Sequence, residues 1–359
     1  MKYDYLEIFV GTAKTVAYWH VKGMGFEVVA YCGPETGNVE QVSYLLAKND
    51  IRLLITSAYQ HENQFFVNTH GNSVKRFAIS VENVGEAYQN ALQRGAIPLL
   101  APYCLVDEKG EVEQAHLKLF DDNEIVFINR TQYKGTFKPK FQAFDKKWFR
   151  PNFDSHLQEI DHLTCALREN EMAFWEGYWQ NIFQATTIQS FEKQEVSAAN
   201  TGLYMKVLQS QQGKFNQVLV EPVNEVRKSQ VQVFLDAHKG TGVQHIAFSS
   251  NNILETKEAL AENGVEFTTY PNSYYENLRK KYPHLDIDLF QQHQILCDVM
   301  DDAILLQTFT QPIDDRPTLF YEIVQRINNY NGFGLENVKA LFEAVAADLE
   351  KKSLIMNDL

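Results

Sequence analysis

The stretch KGTGVQHIAFSSNNILETKEALAENGVEFT (239–268) repeats a pattern first met in HGNSVKRFAISVENVGEAYQNALQRGAIPL (70–99). Each reads as a glycine turn, a short strand, an asparagine-bearing turn, a helix, a glycine stop and another strand. The helical stripes are Val84, Ala87, Ala91 and Leu92 in one copy and Ile253, Thr256, Ala259 and Leu260 in the other. Gly95 and Gly264 stand where a C-terminal cap needs them. The repeat extends outward. DYLEIFV (4–10) with AYWHVKGMGFEVVAY (17–31) matches DHLTCAL (161–167) with FWEGYWQNIFQATTI (174–188). EIVFINR (124–130) matches YEIVQR (321–326) as a closing strand. This duplication predicts an α+β fold of two tandem halves, each built of paired βαβββ modules whose curved mixed sheet forms an open barrel. The N-terminal half is expected over 1–135, a linker over 136–157 and the C-terminal half over 158–359. The tail ENVKALFEAVAADLEKK (336–352) has helical apolar spacing at Val338, Leu341, Phe342, Val345 and Leu349, so a helix should cap the second half.

The chain has 359 residues, 45% of them hydrophobic and 22% charged, which is ample for two cores. Its 33 basic and 46 acidic residues leave a net charge of −13, which argues against a nucleic-acid partner. No run is long and apolar enough to span a membrane. MKYDYLEIFV (1–10) lacks the basic start and apolar run of an export signal, so a cytoplasmic protein is expected. Cys32, Cys104, Cys165 and Cys297 are scattered, as reduced thiols would be.

The duplication also acts as an internal control. In GTGVQHIAF (240–248), alternation sets Val243, His245 and Ala247 on one face, and both faces are apolar, so His245 points inward. The other copy has Arg76 there. His162 in IDHLTCAL falls opposite Tyr5, and Glu322 in TLFYEIVQR falls opposite Val126. A fold that closes around Tyr, Arg and Val does not require His, His and Glu for packing. A buried carboxylate needs a cation or a proton. Two imidazoles and one carboxylate on a curved sheet make a facial triad with three coordination positions open, as in non-haem Fe(II) oxygenases. Zinc suits the same donors, as a hydrolase or isomerase site. The remaining histidines lie in polar or helical contexts and carry no such signal.

With these residues in place, nearly the whole chain resembles the 4-hydroxyphenylpyruvate dioxygenase and 4-hydroxymandelate synthase family of the vicinal-oxygen-chelate fold. The resemblance rests on GTGVQHIAF, SYYENL, LLQTFT, DRPTLFYEIVQR and GFGLENVKALFEA. It implies iron ligands at His162, His245 and Glu322, and substrate-facing glutamines at Gln230, Gln244 and Gln307. It implies aromatic walls at Phe309, Phe320 and Phe333, and a lid helix bearing Asn337 and Leu341. It further implies Fe(II) with O2 as co-substrate, no organic cofactor, an aryl 2-oxo acid that chelates the metal and loses CO2, and a homo-oligomer, dimer or tetramer.

Two outcomes compete within that family: homogentisate, by attack on the ring, and 4-hydroxymandelate, by hydroxylation of the benzylic carbon. Homogentisate formers place Pro and Asn before a Glu-Pro pair, and Phe after the lid asparagine. An ungapped register puts Val218 and Val220 at the first two positions, in preference to one with Pro222 and Asn224 that needs compensating gaps, and Val338 stands at the third. Loss of a polar contact and of a ring would let the substrate turn, so benzylic hydroxylation is the expected outcome. Met205 stands where either group has Ser, and a thioether cannot replace a hydroxyl's hydrogen bonds, so phenylpyruvate or another bulky 2-oxo acid enters as a substrate. A non-catalytic small-molecule binder of the same fold and a zinc- or nickel-dependent isomerase are the competing classes. The single intact trio and the lid argue against both.

Overall fold

The computed structural model describes residues 2–59, 61–191, 201–210, 215–224 and 229–338. The first half runs β1 (Tyr3–Phe9), α1 (Ala13–Met24), β2 (Glu27–Cys32), β3 (Gln41–Lys48), β4 (Ile51–Ala58), α2 (His61–His70), β5 (Ser73–Ser80), α3 (Val84–Gln93), β6 (Ile97–Asp107), β7 (Gly110–Leu119), β8 (Asn123–Asn129) and β9 (Gln142–Ala143). The second runs β10 (Leu157–Ala166), α4 (Met172–Phe183), β11 (Thr186–Phe191), β12 (Thr201–Gln209), β13 (Asn216–Asn224), α5 (Gln230–His238), β14 (Gly242–Ser250), α6 (Ile253–Glu262), α7 (Asn272–Lys281), α8 (Ile287–Gln292), β15 (Leu296–Met300), β16 (Ala303–Phe309) and β17 (Phe320–Ile327).

The strands form two mixed sheets, ordered β6-β7-β8-β5-β1-β4-β3-β2-β9 and β11-β12-β13-β10-β14-β17-β16-β15. Each sheet joins two βαβββ modules through a central antiparallel pair, β1 with β5 and β10 with β14. This is the duplicated βαβββ architecture that the repeat predicts, and the vicinal-oxygen-chelate fold that the resemblance implies. The two copies of the opening motif share their local chemistry. Asn83 caps α3 by accepting from Glu86 N, and Asn252 caps α6 by accepting from Glu255 N. Gly95 and Gly264 follow these helices at φ of 96° and 86°, a conformation that favours glycine.

Helices α1, α3, α4 and α6 pack on the outer faces, and their apolar stripes join both halves in one core with Leu6, Phe77, Leu163, Ile246 and Tyr321, whereas Val231, Phe234 and Leu235 of α5 join the inner cluster of the second half. The inner, concave faces carry separate apolar clusters, one around Tyr5, Ala78, Val126 and Phe137, the other around Ala166, Met205, Val218 and Phe333. No helix among the described residues is long and apolar enough to cross a membrane.

Two buried histidines tie the halves together. His20 of α1 donates from Nδ1 to Val16 O at 2.7 Å and accepts at Nε2 from the Tyr321 hydroxyl at 2.5 Å. His238 of α5 donates to Gly240 O at 2.9 Å and accepts from Ser73 Oγ at 3.0 Å. Burial holds His20 neutral, lowering it to about 4. Burial, helped by the facing His70 ring, lowers His238 to about 3. Both folded values lie below the unfolded one, so this stabilisation is complete above about pH 6.5 and is lost as pH falls toward the folded values. At pH 5 each histidine should cost about 2 kcal/mol relative to pH 7.5. Urea midpoints should therefore fall over this window, and His20→Leu should flatten the slope; an unchanged slope in that variant would refute the assignment.

Candidate metal centre

Three adjacent strands bring the predicted trio together. His162 on β10, His245 on β14 and Glu322 on β17 are 4%, 8% and 1% exposed. Glu322 Oε2 lies 3.1 Å from His162 Nε2 and 3.2 Å from His245 Nε2. One ligand atom from each residue falls within 4.8 Å of the others. Donors bonded to one metal at about 2.1 Å and at right angles lie about 3 Å apart, so this set fits a single first-row ion held on one face. The register agrees with the internal control: Ala247 pairs with Glu322 and His245 with Phe320, as Ala78 pairs with Val126 and Arg76 with Glu124.

Each donor is aimed by a neighbour. His162 Nδ1 donates to Asp161 Oδ1 at 2.7 Å. Simple alternation would put these adjacent residues on opposite faces. The pairing of β10 with β14 slips between Ile160 and His162, and this bulge turns both side chains to one side. Arg326 holds Asp161 with two bonds, Nε to Oδ2 at 2.7 Å and Nη2 to Oδ1 at 2.8 Å. Its remaining nitrogen donates to Gly332 O at 2.6 Å, and its guanidinium carbon lies 4.7 Å from the Phe333 ring centroid. Arg326 thereby ties the His162 support to the segment that enters the lid. Asp161 and Arg326 escaped the sequence reading.

The charges suit a cation. Burial opposes ionisation of Glu322, but the two imidazoles outweigh it and hold the carboxyl at about 2. Burial would lower His162, yet the Glu322 and Asp161 carboxylates raise it to about 9. Burial lowers His245, with Glu322 offsetting part of the effect. A proton on His162 thus occupies the electrostatic role that a metal takes when bound.

A second chain of bonds fixes the carboxylate. Gln307 Nε2 donates to Glu322 Oε1 at 2.7 Å, and Asn337 Nδ2 donates to Gln307 Oε1 at 2.8 Å. Tyr274 of α7 donates its hydroxyl to Asn337 Oδ1 at 2.8 Å. With Oε1 occupied, Oε2 alone remains for a metal, which leaves the other coordination positions free. Gly334, at φ 69°, passes so close that a Cβ would collide with Gln307 Oε1.

The aromatic residues also converge. The His245 ring centroid lies 4.9 Å from that of Phe320 and 5.7 Å from that of Phe309, and His162 lies 5.1 Å from Phe333. Gln244 Oε1 accepts from His245 Nδ1 at 3.3 Å. Met205, Val218 and Val220 are buried in one apolar cluster with Phe333. Val338 sits half-buried on the first turn of the lid. Gln230 differs from expectation: as the first residue of α5 it is exposed, so the structure does not bring it to the trio. Leu341 and the rest of the tail lie outside the described residues.

Comparison with known proteins agrees with this geometry. Residues 159–287 match the model of the Glyoxalase/Bleomycin resistance protein/Dioxygenase superfamily. Fold and donor set together define a non-haem Fe(II)-dependent dioxygenase of the vicinal-oxygen-chelate class. The chain is 35% identical to 4-hydroxyphenylpyruvate dioxygenase from Tetrahymena thermophila over 98% of its length and 90% of the relative's. It is 32% identical to the protein of that name from Dictyostelium discoideum, covering 98% of each. A triply substituted 4-hydroxymandelate synthase from Streptomyces coelicolor superposes with a TM-score of 0.84 at 26% identity, over 97% of this chain and 98% of the other. The chain belongs to the 4-hydroxyphenylpyruvate dioxygenase and 4-hydroxymandelate synthase family.

Proposed function

We propose that the protein oxidatively decarboxylates 4-hydroxyphenylpyruvate with O2 and forms homogentisate and CO2. The observation that carries this is full-length similarity to relatives bearing the dioxygenase name, joined to the buried His162, His245 and Glu322 set. Bound iron would supply the sites at which the 2-oxo acid and O2 meet. The chain's own residues do the rest. Gln307 keeps Glu322 to a single ligating oxygen. Asp161 and Gln244 hold the imidazoles at their Nδ1 atoms, which leaves both Nε2 atoms facing inward. Phe309, Phe320 and Phe333 provide flat apolar walls for an aryl ring and exclude water. One O2 oxygen enters the new carboxyl group and the other enters the ring, so the substrate supplies the electrons and no reductant is consumed.

Benzylic hydroxylation to 4-hydroxymandelate is the second reading, and it was the sequence expectation. Val218, Val220 and Val338 favour it: the first two present an apolar surface beside Phe333 in place of a polar contact, and the third is small where a ring would restrain the substrate, which leaves the ring room to turn. The dioxygenase relatives reverse the order of the two. The test is reconstitution with Fe(II), addition of 4-hydroxyphenylpyruvate and O2, and separation of products by chromatography and mass spectrometry. Homogentisate is the expected product; 4-hydroxymandelate would overturn the choice, and turnover of phenylpyruvate alone would overturn the substrate.

A further inference from the structure

The N-terminal sheet keeps much of the apparatus of the metal site while inverting its charge. Register makes Gln114 the counterpart of Gln307: Gln114 pairs with Ile128 and His116 with Val126, as Gln307 pairs with Val324 and Phe309 with Glu322. Asp4 sits at the same kind of strand slip as Asp161, between Tyr3 and Tyr5. Arg130 Nη2 donates to both oxygens of Asp4, at 2.7 and 2.6 Å, as Arg326 serves Asp161. Arg130 also lies 4.8 Å from the Phe137 centroid, as Arg326 lies over Phe333. Phe137 follows Arg130 by the same interval as Phe333 follows Arg326. By that count Lys138 takes the place of Gly334, and Phe141 that of Asn337.

These exchanges leave unused donors in the cup. Gln114 is 3% exposed; its Oε1 accepts from the Tyr103 hydroxyl at 3.2 Å, but its Nε2 has no partner. Both residues that would occupy such an amide in the other half, Glu322 and Asn337, are here Val126 and Phe141. Lys138 Nζ reaches in to 3.3 Å from the Tyr5 hydroxyl and stands 5.0, 5.1 and 5.8 Å from the rings of Tyr5, Phe137 and Phe141. Burial raises the Tyr103 hydroxyl, and the nearby Lys138 ammonium offsets part of that rise. The other charges nearby are matched. Arg76 contacts Glu7 at 3.0 Å and Glu124 at 2.8 Å, Lys75 lies 3.8 Å from Glu124, and His116 bonds Glu124 at 2.7 Å. Lys138 has no carboxylate within ion-pair distance among the described residues.

We propose that this cup is a second binding site, which takes a small organic monocarboxylate between Lys138 and the Gln114 amide. One unmatched cation calls for a monoanion. The Lys138 ammonium and the unpartnered Gln114 amide N–H suit the two carboxylate oxygens. Phe137, Phe141 and Val112 suit a short apolar body. Lys138 and Tyr103 keep part of their surface open, so an entering anion meets them first.

The test is calorimetric titration of phenylacetate into the iron-loaded chain, into His245→Ala, and into His245→Ala combined with Lys138→Met or Gln114→Leu. The second chain removes binding at the metal. Binding should persist in it at one site per chain, and either further substitution should weaken it about tenfold or more. Lys138→Arg should retain it. Loss of all binding in His245→Ala, or an affinity indifferent to both cup substitutions, would overturn the proposal. Equal affinity for nitrate would overturn its organic part. Circular dichroism identifies a misfolded Lys138→Met chain, and Gln114→Leu then decides.

Discussion

A chain carrying His245→Ala is expected to retain no stoichiometric iron and to consume no O2 with 4-hydroxyphenylpyruvate, while its circular dichroism stays native. Removing one imidazole leaves Glu322 and a single nitrogen, a set too weak to hold a first-row ion against buffer. Turnover should drop by on the order of 10³-fold or more, because the group that organises both reactants is gone. The fold should tolerate the change: the equivalent position in the first half carries Arg76, and that sheet closes with the same register. Iron content by atomic absorption and oxygen uptake at an electrode are the readouts. Full iron loading with turnover above a tenth of the parent's would remove His245 from the site.

Arg326→Met should be costly in a different way. The substitution leaves the Asp161 carboxylate buried without its partner, at 8% side-chain exposure. A stranded charge of this kind costs about 3–5 kcal/mol, to be read as a lower urea midpoint. Asp161 also orients His162, so iron affinity should fall about 10- to 100-fold. Arg130→Met is the matched control, because Arg130 grips Asp4 in the half without ligands. It should lower the midpoint and leave iron affinity unchanged. Equal loss of iron in both variants would mean that Arg326 acts through stability alone.

The sequence made the modules legible because repeat, cap and glycine stop coincide at Asn83 and Gly95 and again at Asn252 and Gly264. The trio was legible because duplication replaced it elsewhere. Its supports were not. Alternation assigns Asp161 to the wrong face, and only a strand slip corrects it. Arg326 reads as a polar strand end until its partner is seen across the sheet. Tyr274 was visible only as part of SYYENL, with nothing to say that its hydroxyl reaches Asn337. Gln230 was placed by resemblance alone, and in the structure it opens α5 with its side chain exposed. The lysine-rich stretch after β8 looked like a plain linker, yet Phe137 and Phe141 plug the first sheet.

The pairing of Asp4 with Arg130 has a broader consequence. A grip kept on the half that lies apart from the His162, His245 and Glu322 set serves the architecture before it serves that set. It pins a kinked central strand to the chain leaving β8 of the same sheet. Each half thus has its central strand braced by an arginine, and the ligand trio stands in one half on a brace that both share. An engineer wishing to move the ligand trio into the first half would find that anchor waiting, and would need to change only what lies inside it.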